Sequence, residues 1–567
     1  MPVLQKNLPL LHTPTFQQMT PAPLATGANM FVVCDPTGRS PFALYIGSAT
    51  VHYLYTDNGW IQIPSGALAT FGAGACGVFH PWSNTYTANG GTTTTATVAA
   101  GTHNITGLAI GETIEFISSG TNTGLRRTIT NIINNAGTGN VTIQWSGAVA
   151  TAVLNTHTFR ISTGRFFVFG GGVTAAGTFK SFDIATLSWS GNLTVTGIPT
   201  FTADGRMALM YQLPKSLEVG TATAVTNTTN ATITDTTKSW KVNQWAGYWV
   251  RITAGLGAPN NTGAINALLQ ITSNTDTQLT FAGTFLTAPD TTSRYSIEDV
   301  IAAGVASSGS TTTLVNTDKT WTVNQWTNSR VRITGGAGLG QTSLIASNTA
   351  NTLTIGTVGT AIASGSIYEI GGDENSIYLA GNSAVAMYRY SISANTWATL
   401  APTTARSGAP SGGLSLNALY STGDPNWNSE SAILNGRFLY SFRGGAGGLV
   451  DRFDIAGGTS GAGAWAAITV VNAETFTTGA SFDIHGCKIY IRKETSSAAQ
   501  RFFVYDVVKN VLIPYTTLNY PDGAAVAGNK IWTKTFDTNQ TAALTDAVIW
   551  LYTLQASGTA LHRIMLF

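Results

Sequence analysis

Charged residues are scarce in this chain. They make up 10% of its 567 residues, with 29 Lys and Arg against 27 Asp and Glu, so the formal net charge at pH 7 is only +2. Such a weak field does not hold nucleic acid or an anionic membrane, which excludes nonspecific DNA binding. A freely circulating monomer usually depends on mixed surface charge for its solubility. The scarcity therefore indicates a protein with a fixed place in a larger assembly.

Long apolar segments are also missing. No apolar run reaches the roughly 18 residues that a membrane-spanning helix needs. The first residues, MPVLQKNLPLLHTP, lack the basic region and the apolar region of a signal peptide. We therefore expect synthesis in a cytosol, no export by that route and no membrane insertion.

Cysteine is rare, with three in the whole chain. Cys34, Cys76 and Cys487 lack the spacing of a metal-ligand set. Isolated free cysteines usually behave as small buried hydrophobic residues, and we predict this for all three.

Helical periodicity is absent as well. The i, i+3, i+4, i+7 apolar pattern of an amphipathic helix does not persist over three turns anywhere in the chain. Instead, 43% of the residues are apolar and many stand in short β-branched runs separated by Gly and Asn. A chain of this length exceeds what one hydrophobic core serves. We predict an all-β protein with several domains or one large repeat architecture.

The most distinctive feature present is a duplicated segment. The pattern W-x-V-N-Q-W followed by V-R-I-T occurs at 240–253 and again at 321–334, an offset of 81 residues. Both copies continue through S-N-T and L-T, to YSI at 295–297 in the first and to YEI at 368–370 in the second. A diluted version has IEFI at 114–117 in the V-R-I-T position and ends with TFRI at 158–161. The short alternating strands predict three small β-sandwiches or barrels of about 75 residues each.

Trp240, Trp245 and Trp249 belong to this duplicated segment. Large aromatic side chains each bury much area in a core of this size, so we predict that all three are part of the core. The alternative is a platform on which sugar rings stack.

A second pattern fills most of the remaining chain. An apolar strand ends in glycines, an aromatic strand follows, and a turn leads to Trp or Tyr. It occurs clearly four times, from 166 to Trp189, from 377 to Trp397, from 438 to Trp465 and from 488 to Tyr515. It resembles the kelch repeat of β-propellers, in which glycines let strands converge near the axis and aromatic residues pack between blades. Two weaker copies, at 43–63 and 529–554, make the resemblance imply a kelch-like propeller of about six blades.

The two patterns divide the chain into segments. The propeller is predicted to comprise 28–83, 163–217 and 372–567, and the inserted β-modules are 84–162 (module 1), 218–298 (module 2) and 299–371 (module 3). Module 1 is expected between the first two strands of one blade, and modules 2 and 3 at the same place in another.

The two ends of the chain differ in character. Residues 1–27 are rich in proline and do not alternate, so we predict an extended N-terminal arm that docks on a neighbouring subunit. Residues 561–567 alternate in part like a strand and are expected to help close the ring beside the first blade.

Kelch propellers include copper radical oxidases, whose site needs two His, two Tyr and a Cys. Here only His485 and Cys487 lie close together, without a His pair. The nearest match to a sialidase Asp box, YTDNGW at 55–60, lacks the Ser and the spacing and is better interpreted as a β-turn. Hydrolysis of glycosides by paired carboxylates stays open, because a sequence does not give carboxylate distances.

Cofactor sites are equally poorly supported. The segment GDPNWNSE at 423–430 alternates oxygen ligands suited to Ca²⁺ but lacks the spacing and central Gly of an EF-hand, so a polar loop is the simpler interpretation. Glycines at 170–172 and 444–445 are not followed by Lys-Ser/Thr and a helix, as a phosphate loop requires. The sequence therefore indicates no catalytic, cofactor-binding or metal-ligating residues, and we expect no enzyme and no cofactor.

The duplicated segment resembles small β-modules that recur in virion proteins of tailed phages, and a propeller with inserted β-domains is similar in layout to the nozzle, or tail-hub, proteins of short-tailed bacteriophages. That resemblance implies a homohexamer in the phage tail of the virion, assembled in the bacterial host cytoplasm. It also implies contacts with the tail adaptor, other portal-proximal proteins and tail fibres. A lining of Thr, Asn, Ser and Gly would let double-stranded DNA pass without specific binding during genome ejection.

Two other classes of function stay open. The chain could be a receptor- or glycan-binding protein of a tail fibre, an adhesin or a head decoration, or it could be a kelch-type enzyme. Fibre proteins usually contain long fibrous segments, and neither heptads nor a triple-helix repeat occurs here.

Overall fold

The structure is a computed structural model of the chain. It describes residues 17–566 apart from 24–30, 35–41, 100–109, 199–205, 210–215, 258–267, 381–386, 405–415, 420–437, 443–448, 456–461, 475–480, 493–501, 515–529, 537–547, 555–560 and gaps of one to four residues. Across these described residues the regular elements are β-strands, with no α-helix. In the same residues no helix is long and apolar enough to cross a membrane. The prediction of an all-β protein is confirmed.

The strands of the described residues are numbered in chain order. Before the first insertion they are β1 (Gln17–Gln18), β2 (Phe31–Cys34), β3 (Ala43–Ile46), β4 (His52–Thr56), β5 (Gly59–Ile63) and β6 (Cys76–His80). Module 1 contains β7 (Tyr86–Thr87), β8 (Thr95–Val98), β9 (Thr113–Ser118), β10 (Arg126–Asn134), β11 (Val141–Trp145) and β12 (Thr158–Ile161). Then come β13 (Arg165–Phe169), β14 (Phe179–Asp183), β15 (Ser188–Trp189) and β16 (Arg206–Leu209).

Modules 2 and 3 follow each other directly. Module 2 contains β17 (Ser216–Thr221), β18 (Ala224–Thr226), β19 (Thr232–Thr234), β20 (Trp249–Ala254), β21 (Leu268–Asn274), β22 (Gln278–Phe281) and β23 (Arg294–Glu298). Module 3 contains β24 (Ala302–Val305), β25 (Ser308–Gly309), β26 (Thr313–Val315), β27 (Arg330–Gly335), β28 (Thr342–Asn348), β29 (Thr352–Ile355) and β30 (Ile367–Gly371).

The remaining strands lie after the third module. They are β31 (Ser376–Ala380), β32 (Met387–Ser391), β33 (Thr396–Leu400), β34 (Leu416–Leu419), β35 (Phe438–Phe442), β36 (Leu449–Asp454), β37 (Ala464–Thr469), β38 (Ser481–His485), β39 (Lys488–Arg492), β40 (Phe502–Asp506), β41 (Val511–Pro514), β42 (Lys530–Phe536), β43 (Val548–Leu554) and β44 (Leu561–Leu566).

Six small sheets are built from the segments outside the modules, and each has four strands. Their orders are β2-β3-β4-β5 (sheet 1), β6-β13-β14-β15 (sheet 2), β16-β31-β32-β33 (sheet 3), β34-β35-β36-β37 (sheet 4), β38-β39-β40-β41 (sheet 5) and β42-β43-β44-β1 (sheet 6). The first strands contact one another from β2 through β6, β16, β34 and β38 to β42, and β42 contacts β2 again. The sheets therefore follow one another around a closed circuit.

The N-terminal arm takes part in closing this circuit. Its strand β1 pairs antiparallel with β44 at the outer edge of sheet 6. The Met19 N–H donates to the carbonyl of Leu561 at 2.8 Å, and Ala22 is buried with Tyr45 and Tyr55 of sheet 1. The described part of the arm thus docks on its own chain, whereas we expected a neighbouring subunit. The reason is local, because the outer edge of sheet 6 offers unpaired backbone groups within reach of the arm.

Tryptophans connect consecutive sheets. The indole N–H of Trp189, on the last strand of sheet 2, donates to the carbonyl of Pro64 behind sheet 1 at 2.8 Å. The indole of Trp397, on the last strand of sheet 3, donates to the carbonyl of Thr194 behind sheet 2 at 2.9 Å. Trp465 is buried among residues of sheets 3 and 4. The predicted packing of aromatic residues between sheets is confirmed for these three, and the predicted Tyr515 lies outside the described residues.

Each insertion leaves a small sheet between its first two strands. Module 1 lies between β6 and β13, which pair as the first two strands of sheet 2. Modules 2 and 3 lie between β16 and β31, which pair in the same way in sheet 3. Strand β17 begins at Ser216, before the predicted boundary at 218, because it pairs with β23 of module 2. The 216–217 segment therefore belongs to module 2 and not to the propeller segment.

Each module is a single curled sheet around its own apolar core. The orders are β7-β12-β9-β10-β11-β8 in module 1, β17-β23-β20-β21-β22-β19-β18 in module 2 and β24-β30-β27-β28-β29-β26-β25 in module 3. Trp240 and Trp245 lie in the core of module 2, as predicted. Trp249 does not, and packs instead on Leu268 and on Ala303 of module 3. Strand alternation explains this, because Val250 next to it points inward.

Candidate docking site on the inserted modules

Among the described residues, no group of three or more His, Cys, Asp or Glu is placed to hold a metal ion. Cys76 is buried as predicted, whereas Cys34 is only partly buried. Cys487, the loop 423–430 and the side chain of His485 lie outside the description. Thr56 lies opposite Gly59, so the segment once compared with an Asp box is a hairpin, as predicted.

The three modules share one strand pair that carries charge. In each module the strand in the V-R-I-T position pairs with the last strand. The directly opposed residues are Glu115 and Arg160 in module 1, Arg251 and Ser296 in module 2, and Arg332 and Glu369 in module 3. Since neighbours in the strand point into the core, these side chains lie on the outer face of each sheet.

Ion pairs connect these side chains across module boundaries. Arg160 Nη2 lies 2.8 Å from Glu115 Oε2, and the other oxygen of Glu115 pairs with Arg332. Arg332 Nε is 3.7 Å from Glu369 Oε1, and Glu369 Oε2 is 2.9 Å from Arg251 Nη2. This ion chain, Arg160–Glu115–Arg332–Glu369–Arg251, therefore passes from module 1 to module 3 and on to module 2.

Three residues of the ion chain are buried, which makes the pairing between modules specific. Glu115 is 3% exposed, Glu369 5% and Arg332 9%. Buried charges are costly unless they are paired, and removing one partner leaves the other desolvated and uncompensated. Any arrangement that separated the modules would have to hydrate these groups again. The ion chain therefore fixes which modules meet and in what register.

Apolar contacts accompany the ion chain. Leu339 of module 3 packs against the core cluster of module 1. Trp249 of module 2 packs on Ala303 of module 3. Module 3 is thus the central member, and the three modules form one body although they leave the chain from two different sheets.

The two ends of the ion chain are arginines, Arg160 and Arg251, in different surroundings. The Arg160 guanidinium lies 4.4 Å from the centroid of the Trp82 ring, a cation–π contact that satisfies the positive end. At the other end Ser296 occupies the position that Glu369 holds in module 3, so Arg251 has no directly opposed carboxylate of its own. The carboxylate that pairs with Arg251 therefore comes from module 3.

A buried polar cluster attaches module 1 to sheet 2. Asp183, fully buried at the end of β14, accepts hydrogen bonds from the Tyr86 hydroxyl at 2.8 Å and from the Asn84 N–H. Burial, and then the Asp183 charge, raises the pKa of Tyr86, so its hydroxyl stays protonated as a donor. Burial also lowers the pKa of the nearby Arg165 to about 10. The entry to module 1 is therefore held by buried hydrogen bonds to Asp183.

The V-N-Q-W turn of module 2 is braced by the S-N-T segment. Asn243 adopts a left-handed conformation, with φ of 59°. Its backbone N–H donates to the carbonyl of Asn274 at 2.8 Å. The side-chain oxygen of Asn274 accepts a hydrogen bond from the backbone N–H of Trp245 at 2.7 Å. The turn is thus fixed by a buried amide, which explains why S-N-T recurs with W-x-V-N-Q-W.

Module 3 repeats this turn almost atom for atom. Asn324 has φ of 60°, and its N–H donates to the carbonyl of Asn348 at 2.9 Å. The side-chain oxygen of Asn348 accepts a hydrogen bond from the backbone N–H of Trp326 at 2.8 Å. The two turns are therefore equivalent and equally constrained.

Four of the five tryptophans in the two copies of the duplicated segment are enclosed, and Trp321 is partly buried. Trp240, Trp245, Trp249 and Trp326 are each less than 9% exposed. A stacking platform needs an open ring face, and these rings do not present one. The sugar-stacking interpretation is therefore not supported at these residues.

Sequence reasoning missed the ion chain. Arg251 and Arg332 were visible as the R of V-R-I-T, but their partners are far apart in the chain. The available signal was the recurrence of a charge at one strand position, in Glu115, Arg251 and Arg332, within a chain that has few charges.

Comparisons with known proteins give little further guidance. No protein-family model and no curated protein matches this chain. Among solved structures, an auxiliary nutrient binding protein from Bacteroides thetaiotaomicron is similar at 8% identity and a TM-score of 0.21, covering 87% of this chain and 99% of that chain. The NanB sialidase from Streptococcus pneumoniae, in complex with 2-[(3-chlorobenzyl)ammonio]ethanesulfonate, is similar at 9% identity and a TM-score of 0.23, covering 96% of this chain and 82% of that chain.

Proposed function

We propose that this chain is a structural virion protein, the tail nozzle or hub subunit of a tailed phage, and that its six four-stranded sheets are the blades of a kelch-like propeller. The observation that carries the proposal is the closed circuit of six sheets from which three ion-linked β-modules leave at two consecutive sheets. A closed circuit is a rigid mount, and a preorganised cluster of modules is suited to holding other parts in a fixed place.

The charge balance supports a conduit for DNA. Phosphate contacts from Lys and Arg supply most nonspecific DNA affinity. With a net charge of +2 and 10% charged residues, a ring of these subunits would retain little DNA during ejection. On this proposal the protein has a mechanical task and no catalytic one. Its partners are further copies of itself, the tail adaptor and tail fibres.

The experiment is to image the purified protein, and virions that contain it, by electron microscopy. The proposal expects a six-fold ring with a central channel, located in the tail. A stable monomer in purified virions, or a location on the head or along a fibre, would contradict it. A location on a fibre together with specific binding to surface glycans would favour the recognition alternative.

A further inference from the structure

Modules 1 and 3 carry opposite orders of charge on the same face. In module 1 the V-R-I-T strand β9 carries Glu115, and the last strand β12 carries the opposed Arg160. In module 3 the same two positions hold Arg332 on β27 and Glu369 on β30. The acid and the base have therefore exchanged strands between the two modules.

The strand register shows that these positions are equivalent. Ile114 lies opposite Ile161 in module 1, and Val331 lies opposite Ile370 in module 3. All four belong to the core of their module and directly adjoin the charged residues in sequence. Because side chains alternate along a strand, the charged residues occupy the same place on the outer face of each module.

The contact between modules 1 and 3 joins equivalent positions. Glu115 pairs with Arg332, and both residues occupy the second position of the V-R-I-T strand. If two identical modules met in this way, each of these residues would face its own copy. Two faces of the module 3 type would place arginine against arginine, and two of the module 1 type would place glutamate against glutamate. The exchange of charge therefore makes this contact attractive.

The contact between modules 2 and 3 joins positions that are not equivalent. Arg251 belongs to the V-R-I-T strand of module 2, whereas its partner Glu369 belongs to the last strand of module 3, at 2.9 Å. A contact of this kind needs no exchange of charge, and module 2 has the same residue type as Arg332 of module 3 at the V-R-I-T position. The modules thus differ in charge where equivalent positions meet and agree where they do not.

A wrong pairing at this face would be costly because Glu115, Arg332 and Glu369 are buried. Two like charges brought together here would lose their water and have no counter-ion to compensate them. Contacts that repel the wrong partner are one of the two ways in which proteins achieve specificity. The same residues can therefore attract one module and exclude another.

We propose that the order of charge on this face determines which modules pair. Module 1 binds a β-module that has arginine on the V-R-I-T strand and glutamate on the last strand, and it repels a module with its own order. The same rule excludes module 1 against module 1, and module 3 against module 3, between neighbouring copies that meet through this face. The inference does not rest on the proposed function, because the contact that carries it lies within one chain.

The test gives module 1 the charge order of module 3. Glu115→Arg combined with Arg160→Glu keeps an ion pair inside module 1 but places an arginine against Arg332. The probe is Leu339, a half-buried side chain of module 3 that packs on the core of module 1. Hydroxyl-radical footprinting with mass spectrometry measures how open Leu339 is to solvent. Since buried like charges are strongly unfavourable, we expect the modules to separate and the oxidation of Leu339 to rise roughly twofold or more.

Two internal references accompany this reversed variant. Trp249 packs on Ala303 in the contact between modules 2 and 3, so its oxidation should not change. Arg160→Gln alone is the matched control, because it removes one charge of module 1 and leaves Glu115 to pair with Arg332. Leu339 should stay covered in that control. Thermal melting verifies that each variant is folded.

Complete inversion of the ion chain provides the rescue. Arg332→Glu, Glu369→Arg and Arg251→Glu are added to the reversed variant, so that opposite charges meet again at every contact of the chain. We expect Leu339 to be covered as in the natural chain. Rescue distinguishes charge order from a purely structural need for particular side chains, which complete inversion would not meet.

Two results would overturn the proposal. One is a reversed variant in which Leu339 stays as covered as in the natural chain. The other is a completely inverted chain in which Leu339 is open or the modules do not fold. If the reversed variant itself does not fold, the completely inverted chain decides the question, since recovery of a folded chain with Leu339 covered is expected only if the order of charge matters.

Discussion

His52 is a polar side chain buried where sheets 1 and 2 meet. Its Nδ1 accepts the Gly66 N–H at 3.1 Å and its Nε2 donates to the Ser48 carbonyl at 3.0 Å. Its ring centroid lies 4.9 Å from that of Trp189. Burial lowers the pKa of His52, and the positive charge of Lys180 lowers it further, outweighing the hydrogen bonds that raise it. The neutral imidazole is therefore part of the folded junction.

We expect this junction to weaken in acid. Because the folded pKa lies below the unfolded value near 6.5, the unfolded chain binds the proton better. The stability that His52 contributes is complete above that pH and is lost as the pH falls from 6.5 toward the folded pKa. Melting curves at pH 7.5 and 5.5 should show a larger loss of Tm for the natural chain than for His52→Gln. Equal losses in both would show that other groups cause the pH dependence.

A buried polar pair differs in chemistry between modules 2 and 3. In module 2 the Tyr295 hydroxyl donates to Asp235 at 2.8 Å, and in module 3 the Asn316 side chain donates to the Tyr368 hydroxyl at 2.8 Å. The geometry is the same with either a carboxylate or an amide. Module 3 therefore serves as a natural control for module 2.

We expect Asp235→Asn to be close to neutral, because it reproduces the module 3 pair. Tyr295→Phe should destabilise module 2 by about 1–3 kcal/mol, since it leaves a buried carboxylate oxygen without its donor. Urea unfolding followed by tryptophan fluorescence measures both. A Tyr295→Phe variant as stable as the natural chain would show that water or another group replaces the hydroxyl.

At the scale of elements, the outer faces of β9, β20 and β27 decide how the modules assemble. Glu369→Ser gives module 3 the residue that module 2 has at the equivalent position. We expect a loss of about 1–3 kcal/mol, below the full cost of a broken buried pair, because Arg251 keeps part of its hydration. Ser296→Ala, at the uncharged equivalent position, is the matched control.

A double-mutant cycle isolates the contact between modules 1 and 3. Glu115→Gln and Arg332→Gln should each destabilise the chain, and the double variant should lose less than the sum of the two. Limited proteolysis shows whether module 1 has separated from module 3. Additive losses would mean that Glu115 and Arg332 do not interact in solution.

The elements that could be predicted from the sequence are those with local signals. Alternation and glycine punctuation located β6, β13, β16 and β31 and hence both insertion points, because the pairing partners bracket each module. The prediction that Trp249 lies in the core of module 2 was wrong. Its neighbours in sequence are core residues, but its own contact, Ala303, lies in the next module. The ion chain could not be predicted, since Glu115 and Arg332 are separated by 217 residues. The recurring charge in Glu115, Arg251 and Arg332 marks the strand position but not which residues pair across the modules.

At the scale of the whole molecule, the scarcity of charge determines which contacts can hold the parts in position. A chain with little surface charge has few long-range forces to fix its parts, so position must come from short-range contacts. The buried ion chain fixes the modules, and the tryptophans Trp189 and Trp397 fix successive sheets. Sheet 6 is held in another way, because its outer strand, β1, comes from the opposite end of the chain and pairs with β44.

The pairing of β1 with β44 predicts different effects for two deletions of the N-terminal arm. Removing residues 1–22 takes away β1, the Met19 hydrogen bond to Leu561 and the buried Ala22, whereas removing residues 1–16 keeps all three. The longer deletion should lower Tm, by about 1 °C for each kcal/mol lost, and the shorter one should not. Amide hydrogen exchange should rise in Leu561–Leu566, whose outer edge loses its partner, before it rises in β42 or β43. If the shorter deletion had the same effect as the longer one, the pairing of β1 with β44 would not contribute to the closure of the circuit.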